Sequence, residues 1–373
     1  MPLRLCLKLP GKPVQQPCNR PIHRMLFVIC RLLRQMQIHC CTRARYMVSV
    51  LLPVNAHFFN GCAKNNNMKN KKISLLLLCL LPVAAMACDI CGCGVGSYYV
   101  GILPQFNKRI AGIRYRYSSL RTHIGAGGSV SYLTTDESYH IAELWGGWNF
   151  GKRFRVMATL PYNFNRKINQ GNVYEKNGIG DASLQGFYKL VDSRQMHGQK
   201  LLIQSLWVGA GLKLATGKYD PVDKLNDKNN PNLFQLGTGS TDFSFNALYD
   251  VRLQDVGLSL AASYKCNTTN RYSYRYGNKL STNAQVYYKF RIQQQLTIAP
   301  NAGVAFEYAA HDVDQDYLSK VSGGRLLSAS AGLEATYGRV FLSAGFQKPL
   351  SQSMASGYVK ANNRLMLSAG FAL

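Results

Sequence analysis

The chain has 373 residues, 11 cysteines, and 44 Lys or Arg against 18 Asp or Glu, for a formal charge of +26. Spread over one fold, that charge would suit a nucleic-acid partner, but residues 1–67 hold ten of the basic residues, six of the cysteines and no acid. From Cys88 onward the excess is +13 over 286 residues with four cysteines, which argues against both nucleic-acid binding and a disulfide-stapled scaffold.

Met68 opens a familiar order: Lys69, Lys71 and Lys72, an apolar run from Ile73 to Val83, then Ala85-Met86-Ala87 before Cys88. A basic head, a short apolar segment and a small-x-small ending make a secretory signal peptide. Translation is therefore expected to begin at Met68, with residues 1–67 upstream sequence lacking structure, 68–87 a signal peptide, 88–108 an N-terminal plug or cap, and 109–373 the folded domain.

The mature start reads "CDICGCG", with Cys88, Cys91 and Cys93 within six residues. Free thiolates at this spacing suit a soft ion such as Cu(I) or zinc, though three ligands without a nearby histidine fall short of a closed zinc site. A disulfide in an oxidising compartment and lipid attachment at Cys88 remain alternative readings, so no cofactor is expected beyond such an ion. The apolar, aromatic "VGSYYVGILPQF" that follows could fold into a lumen as a hatch.

From Arg109 the pattern becomes strict alternation. "RIAGIRYRY" sets Ile113, Tyr115 and Tyr117 against Arg114 and Arg116; "KRFRVMATLPYNF" sets Phe154, Val156, Ala158, Leu160 and Tyr162 against Arg153, Arg155 and Thr159; "LSTNAQVYYKF" sets Ala284, Val286, Tyr288 and Phe290 against Asn283, Gln285 and Lys289. Period two means strands with one oily and one polar face. Twelve such segments are predicted, near 109–118, 138–150, 152–164, 179–190, 200–215, 240–252, 255–267, 280–291, 294–309, 325–337, 339–349 and 362–373.

Most of these reach ten residues, which suits a tilted strand crossing a bilayer. Long polar connections are predicted after odd strands and short turns after even ones, as at Gly151, Arg252–Asp255 and Gly338. Many of the 22 tyrosines fall at strand ends, where amphipathic rings form interfacial girdles. The expected fold is all-β, a transmembrane antiparallel up-and-down barrel of about 12 strands, monomeric, surrounded by outer-membrane lipid, with both termini periplasmic. "RLMLSAGFAL" at 364–373 is its closing strand, removing both sheet edges.

Three further patterns occupy defined places: "GIGDASLQGFYKL" (178–190), "GLKLATGKYD" (211–220) and "GTGSTD" (237–242). In this order they resemble the outer-membrane barrel family named for the meta-pathway of phenol degradation, with Ala215 where that family usually has proline. The leading CDICGCG resembles the Bacteroidota version of these barrels. The resemblance implies a transporter, with small hydrophobic compounds as a substrate class. Read locally, Gly178, Gly180, Gly237 and Gly239 are corners where loops enter strands, not phosphate cradles.

Catalysis has little to stand on. His123, His140, His197 and His311 pair with no nucleophile on one face, and "HDVDQD" (311–316) reads as a solvated loop before it reads as a cation site. The functional surface is the lumen, where the polar phase points Arg114, Arg116, Glu143, Arg153, Arg155, Asp181, Gln185, Lys265, Gln285, Lys289, Glu307 and Glu334. The expected function is passive passage of a small, possibly hydrophobic solute; the rival is a non-conducting barrel whose cysteine segment handles metal or binds a partner. A lumen open to solute and a lumen filled by salt bridges are both consistent with the pattern.

Overall fold

The computed structural model describes residues 109–125, 128–222, 232–293 and 295–373. Seventeen strands follow in chain order: β1 Ile110–Thr122, β2 Thr135–Phe150, β3 Phe154–Asn169, β4 Asn172–Ile179, β5 Ser183–His197, β6 Lys200–Lys213, β7 Asp242–Leu253, β8 Val256–Cys266, β9 Tyr274–Arg275, β10 Lys279–Tyr288, β11 Phe290–Ile292, β12 Leu296–Ala309, β13 Val313–Asp314, β14 Tyr317–Leu318, β15 Gly324–Tyr337, β16 Val340–Met354 and β17 Lys360–Ala372. Twelve staves form the wall, because β4 and β5 run on as one stave beside β3, and β10 and β11 as one beside β12. Antiparallel neighbours follow sequence order around the ring, and β1 pairs with β17 from Ile110↔Ala372 to Arg121↔Lys360. The barrel is closed, so no strand edge is left for lipid to meet.

The distribution of burial shows which solvent surrounds this wall. Ile113 and Leu144 are 60% and 61% exposed on the outer face, while Arg155, Glu137 and Glu334 are at most 2% exposed inside. A water-soluble barrel has the opposite arrangement. Leu160, Val286, Leu333, Leu342 and Leu367 continue the apolar exterior around the ring. Exposed aromatics band it at two heights: Phe150, Phe154, Tyr188, Tyr288, Phe290 and Tyr337 at the short-turn end, and Tyr115, Tyr162, Phe164, Phe245 and Tyr264 towards the other. Rings at both interfaces with hydrocarbon-compatible side chains between them define a transmembrane barrel.

The short turns lie where the sequence places them. Gly151, Gly198 and Gly338 take φ of 65°, 62° and 56° at their tips, a region that favours glycine. Two predicted long connections are shorter than expected. Residues 165–178 continue β3 and β4 as a hairpin closed at Gln170–Gly171, and β16 and β17 extend until only residues 355–359 join them. In the first, paired charges such as Arg166 and Glu175 give a strand that has left the membrane the composition of a loop.

At the long-loop end the connections form a cap of their own. β9, β13 and β14 make a three-stranded sheet, and Tyr219, Leu233, Tyr274 and Tyr276 pack there with Leu120, Tyr139, Leu326 and Met354. Asp312 of the HDVDQD segment is wholly buried and accepts hydrogen bonds from the Tyr274 hydroxyl and the Gly277 N–H, so at this residue the segment is structural and not a solvated loop. Burial pushes the Tyr219 hydroxyl above its ordinary range, opposed by the hydrogen bond from Asn232, so this hydroxyl stays protonated at physiological pH.

Candidate functional site

Inside the wall, three layers succeed one another. Beneath the tyrosine cap lies a charged layer at mid-height; below that, towards the short turns, Ile110, Trp145, Met157, Phe187, Trp207 and Phe341 form a buried apolar cluster. Four rings inside the barrel lie directly across from glycines on the neighbouring strand: Trp145 over Gly112, Phe187 over Gly209, Tyr287 over Gly257 and Phe341 over Gly370. A Cβ at any of the four would collide with its neighbours, so each glycine is the seat of a flattened ring.

The charged layer is built on shared carboxylates. Glu143 on β2 pairs with Arg114 (3.4 Å) and with Arg116, both on β1. Asp242, at the start of β7, receives Lys213 from β6 at 2.8 Å and Lys265 from β8 at 3.3 Å. Glu307 on β12 receives Arg364 from β17 at 2.5 Å and Lys279 from β10 at 3.8 Å. These groups surround two neighbouring cavities of about 100 Å³ and about 80 Å³ that share Arg116 and Ile141 in their walls.

The three glycine-containing motifs meet at one side of this layer. Gly180 to Ala182 interrupt the stave between β4 and β5, and there residues 214–217 and 235–238 take over from strand pairing. Asp181 Oδ1 accepts the Gly217 N–H at 3.0 Å, and its Oδ2 accepts the Thr238 N–H at 2.9 Å, the Thr238 hydroxyl at 3.0 Å and the Lys213 ammonium at 2.5 Å. Thr216 donates its hydroxyl to Gly180 O and accepts the Ala182 N–H, while Asn163 and Asn165 of β3 donate to the carbonyls of Leu236 and Gln235. Gly217 and Gly237 face each other so closely that a Cβ on Gly217 would stand 2.8 Å from the Gly237 Cα. These two glycines serve close chain approach as well as bending, and the motifs together make one carboxylate-centred latch.

Of the residues assigned to the lumen from sequence, Arg114, Arg116, Glu143, Lys265 and Glu307 line or feed the charged layer, and Asp181 anchors the latch beside it. Gln285 lines the smaller cavity and Gln185 is buried facing inward beside Gly211. Arg155, Lys289 and Glu334 lie lower: Arg155 is buried against Gly147, Lys289 lies 5.2 Å over the Tyr287 ring, and Glu334 is buried in β15. Arg153 is the exception. It lies in the β2–β3 turn, exposed, with its guanidinium donating to the Tyr188 hydroxyl at 3.4 Å, because the turn ends the alternation before β3 begins at Phe154. Lys213, Asp242, Lys279 and Arg364 complete the layer and lie beyond the candidates expected from sequence. The first two flank the longest loop, and all four sit on the polar phase that could have identified them.

Cys88, Cys91 and Cys93 fall outside the described residues. Among the described residues no group of three or more His, Cys, Asp or Glu is placed to hold a metal ion.

A closed twelve-stave wall, apolar outside and charged within, defines an outer-membrane β-barrel. A family model described as the MetA-pathway of phenol degradation matches residues 118–353, and the chain belongs to that family. Among solved structures, the COG4313 outer membrane channel from Pseudomonas putida F1 superposes with a TM-score of 0.52 at 14% identity, covering 73% of this chain and all of that one. The β domain of the Bordetella autotransporter BrkA gives a TM-score of 0.38 at 12% identity, over 70% of this chain and 99% of its own. No curated protein sequence matches the chain.

Proposed function

We propose that the protein is a passive channel of the bacterial outer membrane, admitting small solutes through the barrel lumen as a monomer with both termini in the periplasm. The observation that carries this reading is the inverted burial: charge and polar space inside, hydrocarbon outside, in a ring with no open edge. Such a wall has no use in water, and cavities lined by charged side chains have no packing role in a filled core. The family and the fold shared with an outer membrane channel support the same conclusion. The apolar constriction formed by Phe187, Trp207 and Phe341 sets the size limit, and the charged layer above it sorts what arrives. Catalysis forms no part of the proposal. Reconstitution into planar bilayers tests it: discrete, steady openings are expected, and a folded barrel that stays electrically silent and fails to leak small solutes from liposomes would refute it.

A further inference from the structure

One side of the smaller cavity is a wall of uncharged hydrogen-bonding groups. Gln285 on β10, Gly303 on β12, Ser330 on β15 and Gln347 on β16 stand level on successive staves, and two residues along Asn301, Gly332 and Gly345 do the same. All but Gly303 line the cavity, together with Asn283. The glycines keep it hollow: no side chain stands at Gly303 between Gln285 and Ser330, and Gly332 and Gly345 leave a bare floor beside Asn301. Gln285 and Ser330 are each only 7% exposed, yet the Gln285 Oε1 and the Ser330 Oγ have no hydrogen-bond partner among the described residues. Buried polar atoms are normally paired, because one left unpaired has lost its water for nothing. Arg116 and Arg364 also line the cavity, but each is paired with a carboxylate, Glu143 and Glu307 respectively. The unmet hydrogen bonds are those of an amide and a hydroxyl.

An unmet carbonyl oxygen needs a donor. A carboxylate only accepts, so it would oppose the Gln285 Oε1; an ammonium only donates, so it leaves the amide and hydroxyl hydrogens of the same wall unanswered. A hydroxyl donates and accepts from one atom, and hydroxyls on neighbouring carbons meet several such side chains together. They also reproduce the hydrogen bonds of any water they displace. Volume sets the length of the solute. A cavity of roughly 150 Å³ holds benzene, so the hollow of about 80 Å³ suits a body of three or four carbons. We infer that this recess is a binding and selection site for small uncharged polyols. The inference rests on the channel reading, since binding becomes selection only if solutes cross.

Saturation-transfer NMR on the purified full-length protein in detergent reads binding without relying on conductance. A four-carbon series holds size nearly constant: erythritol, 1,4-butanediol, 1-butanol and butyrate. Erythritol is expected to bind about tenfold tighter than 1-butanol, with 1,4-butanediol between them, and tighter than butyrate. Gln285→Leu combined with Ser330→Ala should weaken erythritol by about tenfold and leave 1-butanol unchanged. The two atoms removed have no protein partner, so the variant should unfold no more easily than the parent, which separates lost binding from lost fold. Ser330→Ala alone, the smallest change, should weaken erythritol about threefold and keeps the test open if the double variant folds poorly. Equal affinity across the series, butyrate bound tighter than erythritol, or variants that bind erythritol like the parent would overturn the inference. Proteoliposomes separate it from the reading beneath it. A barrel that binds erythritol but admits neither it nor ions defeats the channel alone, whereas one that conducts ions yet binds no polyol defeats the polyol site alone.

Discussion

Asp181 and Thr238 are 57 residues apart in sequence, yet the Asp181 carboxylate accepts both the backbone N–H and the hydroxyl of Thr238, at 2.9 and 3.0 Å. The bond pair spans the place where the stave between β4 and β5 is broken, so a side chain does there what a strand ladder does elsewhere. The patterns at 178–190, 211–220 and 237–242 owe their spacing to this contact.

Asp181→Asn keeps the shape but removes the charge that strengthens four hydrogen bonds. A loss of about 1–3 kcal/mol is expected, read as a lower temperature for the gel-mobility shift of the folded barrel. Limited proteolysis should open first between Thr216 and Leu236. An unchanged transition with an uncut loop would show that the latch is dispensable.

The lipid face makes a second prediction. Leu144→Arg places a charge on the exposed outer wall near the middle of β2 and should cost about 2–4 kcal/mol in folding into liposomes. Thr159→Arg, on the cavity-lining face of β3, should fold with near-normal yield and alter only conductance. Equal folding yields for the two would contradict the assignment of faces.

A third concerns the constriction. Trp207→Ala and Phe341→Ala remove inward rings and should raise single-channel conductance, while Phe150→Ala, in the outer girdle, should leave it unchanged. Were all three alike, the narrow point would lie elsewhere.

The seats of those rings give the fourth. Gly370→Val and Gly209→Val set a branched side chain where Phe341 and Phe187 rest, and overpacking of this kind costs about 1–3 kcal/mol. Gly338→Val, at a turn tip open to solvent, is strained by its positive φ but displaces no ring. Near-ultraviolet circular dichroism should therefore change for the first two variants and stay constant for the third.

A fifth is read at the amino terminus. Intact-mass and peptide spectrometry of the mature protein should find Cys88 as the first residue, and its mass will distinguish free thiols, a disulfide, a lipid or a bound metal. A first residue upstream of Met68 would refute the predicted start.

All twelve staves were legible in the sequence because alternation is a local signal, repeated every second residue and visible without knowledge of partners. The inward direction of Arg114, Arg116, Glu143 and Lys265 was legible in the same way, from phase alone. What phase could not show is partnership at long range. Nothing near Asp181 announces Gly217 or Thr238, and Lys213 and Asp242 look like loop edges until the barrel closes around them. The inward aromatics escaped for another reason. Trp145, Phe187 and Phe341 violate the rule of apolar-out, polar-in, and their glycine counterparts lie on neighbouring strands. Arg153 errs the other way, because a turn carries the right residue type out of phase.

The rings resting on glycines have a mechanical corollary. A bulky side chain hinged freely from one strand could swing aside, but one bedded in its neighbour moves only if two staves part, which would cost a run of ladder bonds. The positions of Trp145, Phe187, Tyr287 and Phe341 inside the barrel are therefore fixed by the backbone of the neighbouring strands.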